Sequence, residues 1–288
     1  MPNPSFEYHT VCPTDLDQVY LSPSWFDPTN ATSDYFNTCS VATNVSIPKN
    51  YYGYQFPYNG NAFMGFAIYE GNLAQNWREY IGVKLISPLE KDSEYCFSAY
   101  ISPAGNFKSF TNSVGILLLQ DTLGISNYYP TNIPYIPDAN YDTIMADTLS
   151  WKLVNLNFKA KATCNYLIIG NFKIDVQLSM QNNNPNGFDG AYDYIDSVRL
   201  YKCNTYSAYN NFIIPNVVTN NNDNVNDVFY IKGLQENTEI NIYNRWGTKI
   251  YYTDNYKNDW KPDENAGIYY YVIKTVKKMY TGFLEIIT

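Results

Sequence analysis

An all-β chain of two sandwiches is expected from three features: an abundance of aromatic residues, short apolar runs bounded by turn formers, and a polar break after about two hundred residues. Aromatic residues make up 17% of the 288 positions, 30 of them tyrosine, and only 16% are charged. Such side chains suit a pleated, half-buried surface better than a helix. The apolar fraction of 45% excludes a disordered chain. Apolar runs such as Val114 to Leu119 have strand length, well short of the roughly 18 residues that signal a membrane-spanning helix.

In chain order, strand signals occur at Glu94 to Ser102, Ser113 to Gln120, Trp151 to Lys159, Cys164 to Phe172 and Tyr192 to Tyr201, each bounded by Gly, Pro, Asn or Asp. Polar and apolar residues alternate in Tyr95 to Ile101 and in Val198 to Lys202, as half-buried strands require. Asn72 to Tyr80 is expected to form a short helical turn. Residues 1–203 are thereby expected to form a jelly-roll β-sandwich. Asn204 to Asn211 is polar and poor in aliphatic residues, which places a linker at 204–212. A second set of strands then follows: Phe212 to Val218, Val228 to Ile231, Glu239 to Tyr243, Lys249 to Tyr252, Gly267 to Val276 and Thr281 to Ile287. Residues 213–288 are expected to form a small immunoglobulin-like β-sandwich.

Net charge is −8 and sits mostly in the first part, with eleven basic against eighteen acidic residues up to Phe212 and eight against nine beyond it. That balance disfavours phosphate and nucleic acid as partners. Five cysteines without a CxxC spacing and one histidine, His9, form no zinc signature. Any metal would have to use oxygen ligands. Cys12 and Cys39 flank a loop with little core of its own, and a bridge between them would contribute about 3 to 4 kcal/mol. Cys96, Cys164 and Cys203 read as buried free thiols. The opening MPNPSFE has neither a basic nor an apolar region, so any export signal is expected to have been removed or to lie upstream.

Catalysis has little support. No Gly-x-Ser-x-Gly elbow, Walker loop or dinucleotide fingerprint occurs, and His9 reads as a core or surface residue. A carboxylate pair such as Glu70 and Glu79 keeps a glycan hydrolase as the third reading. The chain is not expected to be an enzyme.

The tail carries several separate motifs: Pro215-Asn216-Val217-Val218-Thr219-Asn220 leading into Asn226-Asp227-Val228-Phe229, then Asn244-Arg245-Trp246-Gly247, Trp260, Gly267-Ile268-Tyr269, and Tyr280-Thr281-Gly282-Phe283. In this order and spacing they resemble the gliding-motility-associated C-terminal domain, the type B sorting domain of the type IX secretion system of Bacteroidetes. The resemblance covers Ile213 to Thr288. It implies that Asn216, Asp223, Asn226, Asp227, Asn244, Arg245, Trp246, Gly247, Gly267, Tyr269 and Gly282 carry a secretion signal. The implied partners are the outer-membrane translocon and its shuttle proteins, and the implied location is the cell surface or extracellular space. Where the family has Thr-Pro-Asn-Gly-Asp-Gly, Asn220, Asn222 and Asn224 stand for Pro and the two Gly, and Asn tolerates positive φ. The usual Trp-Asp-Gly is Trp260-Lys261-Pro262. The alternative for the Arg245 turn is a strand end with Trp246 as core and Arg245 covering it. For Asp223 and Asp227 the readings are calcium coordination or a solvated turn.

The opening Asn3-Pro4-Ser5-Phe6-Glu7 and the closing Ile195-Asp196-Ser197-Val198-Arg199-Leu200 resemble the two ends of galactose-binding-like jelly rolls of Bacteroidetes surface proteins. That resemblance implies a structural Ca²⁺ site with Asn3, Glu7 and Asp196 as candidate ligands; capping and turn hydrogen bonds are the alternative. Sugar binding needs flat aromatic faces and planar polar groups, so Tyr54, Gln55, Tyr58, Trp77 and Arg78 form a candidate set, with core packing as the other reading. Asp121-Thr122-Leu123, Asp142-Thr143-Ile144 and Asp147-Thr148-Leu149 match an acceptor tripeptide of Bacteroidetes surface glycoproteins, making Thr122, Thr143 and Thr148 candidate O-glycosylation sites. The expected function is an exported surface protein with a binding or adhesion module, for glycans or other surface proteins, possible service in gliding included. The alternative is a structural component of a surface assembly.

Overall fold

The computed structural model describes residues 1–73, 75–122, 125, 132–203, 213–221, 226–234, 237–262, 265–275 and 279–287. The chain is all-β and divides into two compact units, Met1–Cys203 and Asn204–Thr288. The residues expected to form the linker, 204–212, lie outside the described set. Among the described residues no helix is long and apolar enough to cross a membrane.

The first unit carries β1 (Trp25–Phe26), β2 (Asp34–Asn37), β3 (Ala62–Glu70), β4 (Tyr80–Leu89), β5 (Glu94–Pro103), β6 (Ser109–Thr111), β7 (Val114–Leu119), β8 (Ala139–Tyr141), β9 (Lys152–Lys159), β10 (Cys164–Gly170), β11 (Met180–Asn182) and β12 (Gly190–Lys202). They form two five-stranded antiparallel sheets, ordered β1-β4-β10-β7-β8 and β2-β3-β12-β5-β9, and a small β6–β11 pair. Met64, Phe66, Ile68, Phe97 and Val154 of one sheet share a core with Ile81, Val83, Ile116 and Leu167 of the other. This is a β-sandwich. β9 shows the alternation cleanly: Val154, Leu156 and Phe158 are buried while Asn155, Asn157 and Lys159 are exposed.

The second sheet is buried on both faces. Behind it Phe36, Phe63, Phe107, Tyr192 and Tyr194 form another apolar layer, which the segment before β3 covers, with Tyr52 stacked 4.2 Å from Tyr192 between ring centres. Gly65 is required here, because a Cβ would lie 2.4 Å from the Tyr192 ring. The helical turn expected at 72–80 is absent among the described residues there. Asn76 has positive φ and Arg78 and Glu79 are buried, so side-chain ties replace helical hydrogen bonds.

The second unit carries β13 (Val217–Thr219), β14 (Glu239–Tyr243), β15 (Lys249–Thr253), β16 (Gly267–Lys274) and β17 (Met279–Ile287) in one sheet ordered β13-β17-β16-β14-β15. β13 runs parallel to β17, and the other pairs are antiparallel. Ile240, Ile242, Tyr269, Ile273, Leu284 and Ile286 face a core closed by Phe229, Ile231, Tyr256 and Trp260. The described strands make a single sheet, packed against a second layer built from these loop-borne aromatic and aliphatic residues. Val228 to Ile231, expected as a strand, is part of that layer: its backbone is tied by Trp260 and Asn258 rather than by a sheet neighbour.

Candidate functional site

The turn between β14 and β15 is closed by Asn244. Its side-chain oxygen accepts from the backbone N–H of Trp246 (3.1 Å) and Thr248 (2.9 Å), and its own N–H donates to the Thr248 carbonyl. Asn favours such local turns, and Gly247 supplies the positive φ of 81°. The consequence is that Arg245 and Trp246 are pushed outward. Trp246 is 73% exposed, which corrects its reading as core. Its ring instead carries the Arg245 guanidinium at 4.2 Å. A cavity of about 170 Å³ opens beside the pair, bounded by Gly267, Ile268 and Tyr269.

Asp227, Asn226, Asn216, Tyr269 and Gly282 make contacts within the unit. Asp227 is only 6% exposed and meets the Lys261 ammonium at 3.7 Å, so at this position the solvated-turn reading fails. Lys261 belongs to the tripeptide that departs from the family pattern. Asn226 has φ 56° and its carbonyl accepts from Thr219. The Asn216 carbonyl accepts from Glu285 at 2.8 Å. Tyr269 is buried with its hydroxyl donating to the Asn265 carbonyl. A Cβ at Gly282 would lie 2.3 Å from the Tyr271 hydroxyl oxygen. Asp223 lies outside the described residues.

In the first unit the five-residue sugar set is not brought together. Arg78 is fully buried; it donates to the Trp77 and Lys173 carbonyls and pairs with Asp175 at 2.7 Å. Gln55 is also buried, donating to the Ser102 hydroxyl at 2.6 Å and accepting from Phe56 N–H. Trp77 packs against the second apolar layer. Of the five, Tyr54, 56% exposed beside Phe56 at 58%, and Tyr58, face to face on Tyr100, are exposed, and Trp77 is half-buried.

Glu7 and Asp196 converge on one loop. Glu7 accepts from Asn61 and Ala62 N–H at 2.9 to 3.2 Å, and Asp196 accepts from Asn59 N–H at 2.9 Å and from Ser197 N–H. The Asn3 side chain is spent on both backbone groups of Tyr8. These oxygens are aimed at N–H donors, and the nearby Asn3, Pro4 and Phe6 carbonyls are engaged by Trp25, Val198 and Tyr35. Through these hydrogen bonds the two carboxylates clamp the loop at residues 59–62.

Burial raises several other carboxyls. Asp27, Asp34, Asp193 and Asp196 are pushed up to about 7. Glu79 is raised by burial and then by the neighbouring Asp34. Its oxygens accept from the Thr32 hydroxyl and Ala67 N–H, so Glu79 is enclosed rather than presented to a substrate as a glycosidase pair requires. Asp34 accepts from the Tyr192 hydroxyl at 2.6 Å.

Two disulfides are present, Cys12–Cys39 and Cys96–Cys203, and Cys164 is a buried free thiol. The free-thiol reading of Cys96 and Cys203 is therefore corrected; β5 and the end of β12 are antiparallel neighbours with Tyr201 opposite Cys96. Half-buried His9 lies beside the first disulfide, its Nδ1 at 3.0 Å from the Glu7 carbonyl. Thr143 is exposed, and Thr122 and Thr148 are half-buried.

Residues 212–286 match the family model of the CHU_C type IX secretion signal domain. No curated protein matches the chain. Among solved structures it is similar to the K1 cleaved adhesin domain of Lys-gingipain from Porphyromonas gingivalis, at 12% identity over 69% of this chain and 95% of that one, with a TM-score of 0.34. It is also similar to the N-terminal cellulose-binding domain of β-1,4-glucanase C from Cellulomonas fimi, at 13% identity over 62% and 88%, with a TM-score of 0.32. Likenesses at this level decide neither fold nor ligand. The secretion signal directs the chain to the cell surface or extracellular space.

Proposed function

We propose that the chain is address and cargo in one: the C-terminal unit is read by the type IX outer-membrane translocon and its shuttle proteins through the Arg245–Trp246 turn, and the N-terminal sandwich is a binding or adhesion module. The observation that carries this reading is the exposure of Trp246 on a unit that has its own core. A large aromatic side chain left in water contributes little to folding and is well suited to a partner's surface. The guanidinium stacked on it keeps N–H edges available for a carboxylate or carbonyl.

For the N-terminal unit the reading rests on exposed aromatic residues, Tyr54, Phe56 and Tyr58, held on a rigid sandwich. Glycans or other surface proteins are the proposed ligands. Tyr54 and Phe56 side by side also suit a protein neighbour, which favours, as the second reading, a structural part of a surface assembly.

The experiment is export of the full chain behind a signal peptide in a host with the type IX system. Arg245→Ala combined with Trp246→Ala is expected to leave the protein in the periplasm with an unchanged melting temperature; surface display equal to wild type overturns the assignment. A glycan array probed with the full chain tests the binding module.

A further inference from the structure

We infer that a cavity between β8 and β9, away from the aromatic residues singled out in the sequence, binds one neutral hexose ring at the end of a glycan. The inference rests on the reading of the N-terminal unit as a binding module and gives that module a site. The cavity, of about 250 Å³, is floored by buried Met145 and walled by Tyr141 and Trp151, with exposed Asp147, Ser150 and Lys152 on its rim. An apolar floor and aromatic walls below a polar rim match a pyranose, which has an apolar C–H face and a ring of hydroxyls.

The walls are fixed before any ligand arrives. The Trp151 indole N–H donates to the Phe56 carbonyl at 2.8 Å, and its ring stands edge-on to Phe63 at 5.7 Å. The segment carrying the rim is tied down where the buried Gln55 amide donates to the Thr148 carbonyl at 3.4 Å. Asp147 accepts from Leu149 N–H at 2.9 Å and from both the backbone and the hydroxyl of Ser150. These bonds hold its carboxyl below the usual range, so it is ionised at neutral pH. An ionised carboxylate has about four acceptor positions; three are used, which leaves one for a ligand hydroxyl. Lys152 supplies a donor on the same rim. Charges of both signs at the mouth favour a neutral ligand over an acidic or a basic one, and the size suits one ring rather than a chain.

Saturation-transfer NMR of the full chain with the methyl glycosides of glucose, galactose and mannose tests this. At least one glycoside is expected to receive saturation from the wild type. Ala146→Trp, an exposed rim position, fills the cavity and is expected to abolish the signal, and Asp147→Asn to weaken binding about tenfold. Val41→Ala, 96% exposed and outside the cavity, is expected to change nothing. A thermal melt of each variant confirms folding. Binding that survives Ala146→Trp in a folded protein overturns the assignment. If the glycan array is positive while none of the three glycosides binds, or while Ala146→Trp leaves the array unchanged, the module stands and the cavity falls. If neither array nor glycosides bind, the cavity and the glycan reading of the module both fall.

Discussion

The Arg245 guanidinium carbon lies 4.2 Å from the centre of the Trp246 ring, and the pair faces solvent from a turn that the Asn244 side chain closes. A cation–π contact at an exposed site is worth about 0.5 to 1 kcal/mol. The pair therefore costs the fold little if removed, whereas Trp260, buried against Phe229 and Tyr251, is part of the core.

This contrast gives the first prediction. Trp246→Ala shifts the stability of the C-terminal unit by less than about 1 kcal/mol and lowers surface display, while Trp260→Ala costs about 3 to 5 kcal/mol. Thermal melts of the full chain, paired with cell fractionation, separate the two effects.

The second concerns pH. Asp27, Asp34, Asp193 and Asp196 have folded values near 7 against an ordinary 3.8. The folded state thus holds these protons more tightly than the unfolded chain. Their stabilising contribution is full below about pH 4 and is lost as pH rises toward 7. Exposed Glu90 and Asp147 and half-buried Glu239, whose carboxyls are lowered by hydrogen bonds, act in the opposite sense below pH 4. Urea melts should show the N-terminal unit more stable at pH 5 than at pH 8. Asp193→Asn should flatten that slope, because Asp193 is raised by burial alone and its Oδ2 has no hydrogen-bond partner among the described residues.

The two disulfides differ in reach. Cys96 and Cys203 are 107 positions apart and Cys12 and Cys39 are 27. Loop entropy puts their contributions at about 4.8 and about 3.5 kcal/mol. Replacing both cysteines of the longer loop by serine should lower the melting temperature more than the same change in the shorter one.

Calcium is the fourth. Since Glu7 and Asp196 already hold residues 59–62 through their N–H donors, the loop is held without an ion, and added Ca²⁺ or a chelator should not move the melting temperature. Glu7→Gln and Asp196→Asn should lower it with or without the ion. A calcium-dependent rise that either substitution removes would contradict this and place the metal on these two carboxylates.

Much of the architecture was legible. β9 and β10 announce themselves by alternation or by a short apolar run, and the tail by separate motifs in fixed order. β3 and β4 were not legible, because strands such as β3, buried on both faces by Phe63 and Met64 alike, lose the alternation that marks a half-exposed strand. The site failed for a related reason. Side-chain chemistry is written in the sequence, but burial is set by tertiary packing: Arg78 and Gln55 look like surface ligands and are interior ties, while Trp246 looks like core and stands in water. The Cys96–Cys203 bridge depends on β5 and β12 becoming neighbours across a hundred residues. The cavity beside Trp151 needs residues from both sides of a loop whose tripeptides drew attention only to Thr143 and Thr148.

The most direct test compares the full chain with a chain ending at Cys203, each behind the same signal peptide, in a host with the type IX system. The account predicts the full chain at the cell surface or in the medium and the shortened chain folded in the periplasm. Equal amounts of both outside the outer membrane would contradict it.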